Sequence, residues 1–282
     1  MSRTKRWEVS DGLWERVEPL LPKEAQRDAG KQYKRRPGAG RPGVDKRKVF
    51  EAIVRVLRTG CQWNSITKGR DGVGSSSVHR YFQAWTKAGV FLELWRKGLA
   101  EYDEMEGIAW EWQSIDATQL KAPLAQEAVG PNPTDRGGKN GTKINALTEG
   151  GGVPLSVFIT GANVHESTTV SQLIGAKVLH QQPDGEEIDE NLCADNAYTG
   201  RADLIRALGY IPHICHRRQE AEALKHQPGF KARRWVVERF FSWLKRSRKI
   251  LVRYEKSLLS YWGLVCLACS LISLQRSDII QG

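Results

Sequence analysis

Ile108-Ala109-Trp110-Glu111-Trp112-Gln113-Ser114-Ile115, closing on Asp116, decides the fold. The chain before it reads in the rhythm of helices. Here apolar and polar residues alternate with period two, the mark of a strand. Working downstream, Lys143 to Leu147 and Pro154 to Thr160 read as two strands joined as a hairpin through Thr148-Glu149-Gly150-Gly151-Gly152. A helix is expected from about Ser167 to His180, then a short buried strand, Asn191-Leu192-Cys193-Ala194, ending at Asp195. A helix near 200–208, a strand from Tyr210 to Ile214, a long helix from Arg233 to about Leu251 and an uncharged last helix complete the chain. Early strands followed by alternating helices and strands predict an α/β protein on a mixed sheet.

Upstream, Ser10 can cap a helix whose apolar face is Leu13, Val17, Leu20 and Leu21, ended by Pro22. Residues 23–45 read as a basic, Gly- and Pro-rich linker that contains Arg41. A helix from Asp45 to Arg58 sets Val49, Ile53, Val56 and Leu57 at helical spacing. A short helical turn at Trp63 to Lys68 and a loop at Gly69 to Gly74 lead to a helix capped from Ser75-Ser76-Ser77. That helix carries Val78, Phe82 and Trp85 on one side and His79, Arg80 and Gln83 on the other. The succession is compatible with a helix-turn-helix unit, and equally with a plain three-helix bundle.

Charge separates these two readings. Among 282 residues, 43 Lys and Arg face 32 Asp and Glu, for a net +11. Residues 1–98 are strongly basic, 99–195 strongly acidic and 214–256 basic again. Basic flanks suit a polyanion, bound through charge neutralisation and counterion release. An acidic centre repels one unless cations sit between. Five cysteines without a regular framework point to a reducing compartment, and the N-terminus lacks the apolar run of a secretory signal. From Ser257 to Gln275 there is no charge, but four serines, a glycine, a tyrosine and a glutamine make a buried helix the better reading than a membrane span.

Asp116 and Asp195 each stand where a predicted strand gives out, so neighbouring strands would project both into one cleft. Hard oxygen ligands of this kind suit Mg²⁺ or Mn²⁺ together with substrate phosphates. Turns and helix caps also use aspartate freely. Glu238 adds a third acid, in Arg234-Trp235-Val236-Val237-Glu238-Arg239-Phe240-Phe241-Ser242-Trp243-Leu244-Lys245. Positions 234, 238, 242 and 245 share a helix face, with Val237, Phe240, Phe241 and Leu244 adjoining it. Surface i, i+4 pairing is the plain alternative. A metal-binding glutamate between phosphate-binding cations is the functional one.

With these blocks the chain resembles the DDE transposases of bacterial insertion sequences, in the insertion sequence five branch. The resemblance rests on Trp14 with Leu20-Leu21-Pro22, Gly40-Arg41-Pro42, Val56 to Trp63, and Val78-His79-Arg80-Tyr81-Phe82. It continues through Ile115-Asp116-Ala117-Thr118, the Arg136-Gly137-Gly138 to Ile144 loop, Gly161 to Ser167, and Ala194-Asp195-Asn196-Ala197-Tyr198. The signature of Tyr, Arg, Glu and Lys around the family's glutamate is met at Arg234, Glu238 and Lys245, with Lys231 in the tyrosine's place.

The resemblance implies a ribonuclease H-like catalytic domain (104–256, with its catalytic-face helix at 233–251), preceded by an all-helical, helix-turn-helix-like DNA-binding domain (1–103). A C-terminal helix (257–282) would pack on the catalytic domain. It implies Asp116, Asp195 and Glu238 as catalytic and metal-binding residues for two Mg²⁺ ions, with Mn²⁺ as a substitute. Water would cut a phosphodiester at a transposon end, and the freed 3′-hydroxyl would attack target DNA. Arg41, His79, Arg80, Arg136, Lys139, Lys143, Arg234, Trp235 and Lys245 are the expected DNA contacts. The expected partners are double-stranded transposon ends and target DNA, with the chain a homodimer or higher oligomer in the bacterial cytoplasm, away from membranes. An idle DNA-binding derivative and a nuclease without strand transfer are the competing readings. No large domain is expected between Asp195 and Glu238. Cys266-x-x-Cys269 and His213-x-Cys215-His216 are discounted as a zinc site, the first pair being set in an apolar helix. His165 and Glu166 fit a positioning role as well as a chemical one.

Overall fold

Ser10 opens helix α1 (Asp11–Val17), its hydroxyl accepting from the Leu13 amide at 3.2 Å. The computed structural model describes residues 8–23, 43–135, 137–180, 188–214 and 235–277. Asp45 caps α2 (Lys46–Thr59) by accepting from the Arg47 and Lys48 amides. Gly60 ends α2 in the left-handed conformation at φ 72°, which glycine adopts without a Cβ clash. The stretch expected as a loop holds a further turn of helix, α3 (Lys68–Asp71), because Asp71 accepts from the Thr67 amide and pairs with Arg55. α4 (Ser75–Lys87) buries Val78, Phe82 and Trp85 as expected. Its cap position is Gly74, and no serine hydroxyl caps it. α5 (Val90–Glu106) completes the helical N-terminal region.

The sheet comprises β1 (Trp112–Lys121), β2 (Gly130–Pro131), β3 (Asn140–Glu149), β4 (Pro154–Gly161), β5 (Asn191–Ala194) and β6 (Ile211–Ile214). Its order is β4-β3-β1-β5-β6, with β2 on the first residues of β3. β4, β3 and β1 run antiparallel, whereas β5 and β6 run parallel to β1. Three antiparallel strands continued by two parallel ones make the expected mixed, ribonuclease H-like sheet.

One boundary differs in a way that matters. Asp116 lies in the middle of β1, not at its end. Ile108 to Glu111 are spent on a turn held by Asp103, which accepts from the Ile108 amide at 2.7 Å. The strand then runs on to Lys121 because its outer half pairs with β3, from Thr118↔Ile144 to Lys121↔Gly141.

The helical layer is shorter than the sequence suggests. A 3-10 turn (Glu166–Thr169) leads into α6 (Val170–Gly175), which stops at Gly175. A second 3-10 turn (Asn196–Arg201) leads into α7 (Ala202–Ala207). α8 (Trp235–Leu244) ends before the expected Leu251, and the chain turns through a 3-10 segment (Arg248–Ile250). That turn brings Arg248 against Gly60: a Cβ on Gly60 would stand 3.2 Å from the Arg248 carbonyl carbon.

α9 (Leu258–Arg276) is long and apolar enough to cross a membrane, yet most of it is buried within the fold. The expectation for it is packing on the catalytic domain, but it lies chiefly along α5, with lesser contact to α4, α8 and β4. Missing side chains permit the approach: a Cβ on Gly98 would meet Leu274 at 2.9 Å, and one on Gly263 would meet Thr86 at 2.5 Å. α9 therefore ties the N-terminal helices to the sheet and to α8.

Candidate active site

The β1–β5 register positions the two aspartates. Trp112, Gln113 and Ser114 face Asn191, Leu192 and Cys193 in parallel. Continued past the end of β5, that register sets Asp116 level with Asp195. Asp195 caps the 3-10 turn after β5, its carboxylate accepting from the Ala197 amide at 2.9 Å. Asp116 is partly buried and accepts from the Ala117 amide at 2.7 Å.

Glu238 comes from α8. Val236, Val237, Phe240, Phe241 and Leu244 are buried, and α8 packs on β1 and β3. The opposite face exposes Glu238, Ser242 and Lys245. A close approach at the hairpin helps fix the helix: a Cβ on Gly152 would lie 3.3 Å from the Val236 carbonyl oxygen and from Nε of Arg239.

The electrostatics join these acids. Burial, and after it the neighbouring charges of Asp195, Glu166 and Glu238, push the Asp116 carboxyl up to about 6 against the opposing pull of the Ala117 amide. The influence of Glu166 marks it as a fourth acid of the cluster. Its side chain pairs with Lys143 at 3.6 Å. His165 acts locally, its ring capping the 3-10 turn by accepting from the Ser167 amide.

Could such a site hold a cation? Four carboxylates, three of whose charges raise the carboxyl of Asp116, are a donor set of the right chemistry for a hard divalent ion. Among the described residues, no three His, Cys, Asp or Glu side chains converge closely enough to hold a metal. Coordination would therefore need an inward movement of side chains, that of the exposed Glu238 among them.

The expected DNA contacts divide. His79 and Arg80 are exposed on α4, the His79 ring 5.2 Å from that of Trp63. Lys139 and Lys245 are exposed. Trp235 is 51% exposed, with the Arg239 guanidinium 4.5 Å from its ring. Lys143 does not fit the expectation. It is only 4% exposed and donates to the Val164 carbonyl at 2.8 Å besides pairing with Glu166. Both faces of β3 are covered at that point, so its ammonium turns inward instead of towards DNA. Arg41, Arg136 and Arg234 lie outside the described residues.

Cys266 and Cys269 are buried and their thiols are pushed well up by that burial, as befits core residues. Cys215 and His216 lie outside the described residues, while His213 bonds Asn191 at 2.7 Å. The sequence singles out three acids. The tertiary pairing with Lys143 is what places Glu166 among them, and only the motif around His165 could have hinted at it.

Two family models match the chain. One described as a putative transposase of the IS4/5 family covers residues 9–95, and one described as a transposase DDE domain covers residues 113–271. Similar proteins include a putative transposase for insertion sequence element IS402 from Burkholderia cepacia. It is 34% identical over 157 residues, which are 53% of this chain and 72% of the relative. A putative transposase for insertion sequence element IS6501 from Brucella ovis is 26% identical over 140 residues, 48% of this chain and 98% of the relative. Among solved structures, a Mos1 transposase paired-end complex with the left transposon end aligns at TM-score 0.28 and 13% identity, over 87% of this chain and 82% of that one. A Mos1 mariner paired-end complex with Mn aligns at TM-score 0.27 and 12% identity, over 88% and 82%.

Proposed function

The chain belongs to the insertion-sequence DDE transposases, and from that premise we propose that it cuts the ends of its own element and joins them to target DNA, with Asp116, Asp195 and Glu238 as the catalytic carboxylates. The observation that supports this reading is the parallel pairing of β1 with β5, whose register carried past Cys193 sets Asp195 level with Asp116, together with the packing on β1 of the helix that bears Glu238. Mg²⁺, or Mn²⁺ in its place, fits the donor set and would supply Lewis acidity and a nucleophile at neutral pH.

The chain's own residues do the rest. Asp116 presents its oxygens from within β1 and Asp195 from just past the end of β5, each held in orientation by a backbone amide. Glu238 closes the site from α8, with Lys245 available on the same exposed face to hold a phosphate. Lys139 and the loop with Arg136 would hold the duplex near the sheet edge. His79 and Arg80 on α4 would read or grip the terminal repeats, within a DNA-binding region set at residues 1–103. The catalytic region spans 104–256, and a homodimer or larger assembly would bring two ends together.

The test is a labelled duplex bearing the element's terminal repeats, incubated with the protein in Mg²⁺ or EDTA, alongside Glu238→Gln. Metal-dependent nicking at the end and joining to plasmid, both lost in the variant, are the expected result. Cleavage without joining would favour a nuclease. Repeat-specific binding with no cleavage in either metal would favour an idle DNA-binding protein.

A further inference from the structure

Tyr198 sits in the 3-10 turn that Asp195 caps, three residues beyond that acid, and its side chain is 1% exposed. Its hydroxyl is buried without a hydrogen-bond partner. A buried hydroxyl left without a partner destabilises the fold, because it has lost its bonds to water and gained none in return. Phenylalanine would fill the same space without that cost, so a tyrosine here calls for a partner in some other state of the protein. The surroundings indicate which. Burial and the charges of Glu166, Asp116 and Asp195, in that order, push the phenol well above its ordinary range. It stays protonated, and towards carboxylates it can only donate.

The local packing favours Glu166 as the acceptor. The turn carrying Tyr198 packs on the turn carrying Glu166. Glu166 is anchored from its other side by Lys143, itself fixed by the Val164 carbonyl at 2.8 Å. A movement of the carboxylate towards Tyr198 would give the hydroxyl its missing bond.

We propose that Tyr198 is a positioning residue of the acidic site: its hydroxyl donates to Glu166 when the acids close around a divalent cation, fixing the Lys143–Glu166 pair beside Asp116 and Asp195. The inference rests on the reading of the acids as a metal site, and it deepens that reading. Groups that orient metal ligands from behind typically change metal affinity by about 10–100-fold.

Thermal unfolding of the full chain during a Mn²⁺ titration tests it, with wild type, Tyr198→Phe and Asp116→Asn compared. A ligand that binds only the folded state raises Tm with the logarithm of its concentration above Kd, so a tenfold weaker site needs tenfold more ligand for the same rise. Tyr198→Phe should match or exceed the wild-type Tm without metal and need about tenfold more Mn²⁺ for the same rise. Asp116→Asn should respond least. An equal Mn²⁺ response in wild type and Tyr198→Phe would overturn the positioning role and leave the metal site standing. A Tyr198→Phe protein less stable without metal would assign the hydroxyl to the fold and overturn the role too. A wild type blind to Mn²⁺ while Asp116→Asn behaves identically would overturn the metal site itself.

Discussion

Asp116, inside β1, falls level with Asp195, the residue just past the end of β5, when the parallel register that pairs Ser114 with Cys193 is carried two residues further. Asp116 is thereby held inside a strand, where burial and its acidic neighbours raise its carboxyl to about 6 from an ordinary 3.8. The folded protein thus holds this proton more tightly than the unfolded chain.

The sign of the pH dependence follows. Without metal, the raised carboxyl makes stability greatest at low pH and decreasing as pH rises from about 4 to about 6. Metal needs the ionised form, so divalent affinity should weaken about tenfold per unit below pH 6. Calorimetric Mn²⁺ titrations at pH 5, 6 and 7 measure this, and an affinity flat across that range would count against Asp116 as a ligand.

Lys143 and Lys139 should behave as different kinds of cation. Lys143→Met would leave Glu166 unpaired at a partly buried place, and loss of one partner of a buried pair costs about 3 kcal/mol. A denaturant titration reads that loss. Lys139→Ala should leave stability unchanged and lower the salt slope of DNA binding by about 1. Were Lys143→Met to change only the salt slope, Lys143 would be a DNA contact after all.

Gly60 tests the junction between the N-terminal helices and the segment after α8. Gly60→Ala imposes a left-handed backbone on alanine and drives a Cβ to 3.2 Å from the Arg248 carbonyl carbon. A loss of about 1–2 kcal/mol in stability is expected. An unchanged midpoint of unfolding would show that the junction yields freely.

Much of this can be read in the sequence. The hairpin strands and the short strand before Asp195 announce themselves by apolar runs bounded by glycine or acid, and structure and pattern agree there. What the pattern misses is set by tertiary contact. Alternation from Ile108 suggests a strand, but the Asp103 carboxylate holds that stretch in a turn, while pairing with β3 carries β1 on to Lys121. Lys143 looks like an exposed strand cation, yet both faces of β3 are covered. The long helix expected around Glu238 stops at Leu244, after which the chain turns and sets Arg248 against Gly60. The uncharged last helix reads correctly as buried, but nothing in one sequence says that its groove is α5.

The most direct test of the acidic site compares Asp116→Asn, Asp195→Asn and Glu238→Gln in single-turnover, metal-dependent cleavage of a terminal-repeat duplex. Folding and repeat binding are checked for each. Metal-assisted stabilisation of several kcal/mol corresponds to at least about 1,000-fold in rate, so each single variant should lose that much while still folding and binding DNA. Combining any two should add little, as expected of acids that hold the same ions. A folded, DNA-binding variant of any one of the three that still cleaves at the wild-type rate would contradict the assignment.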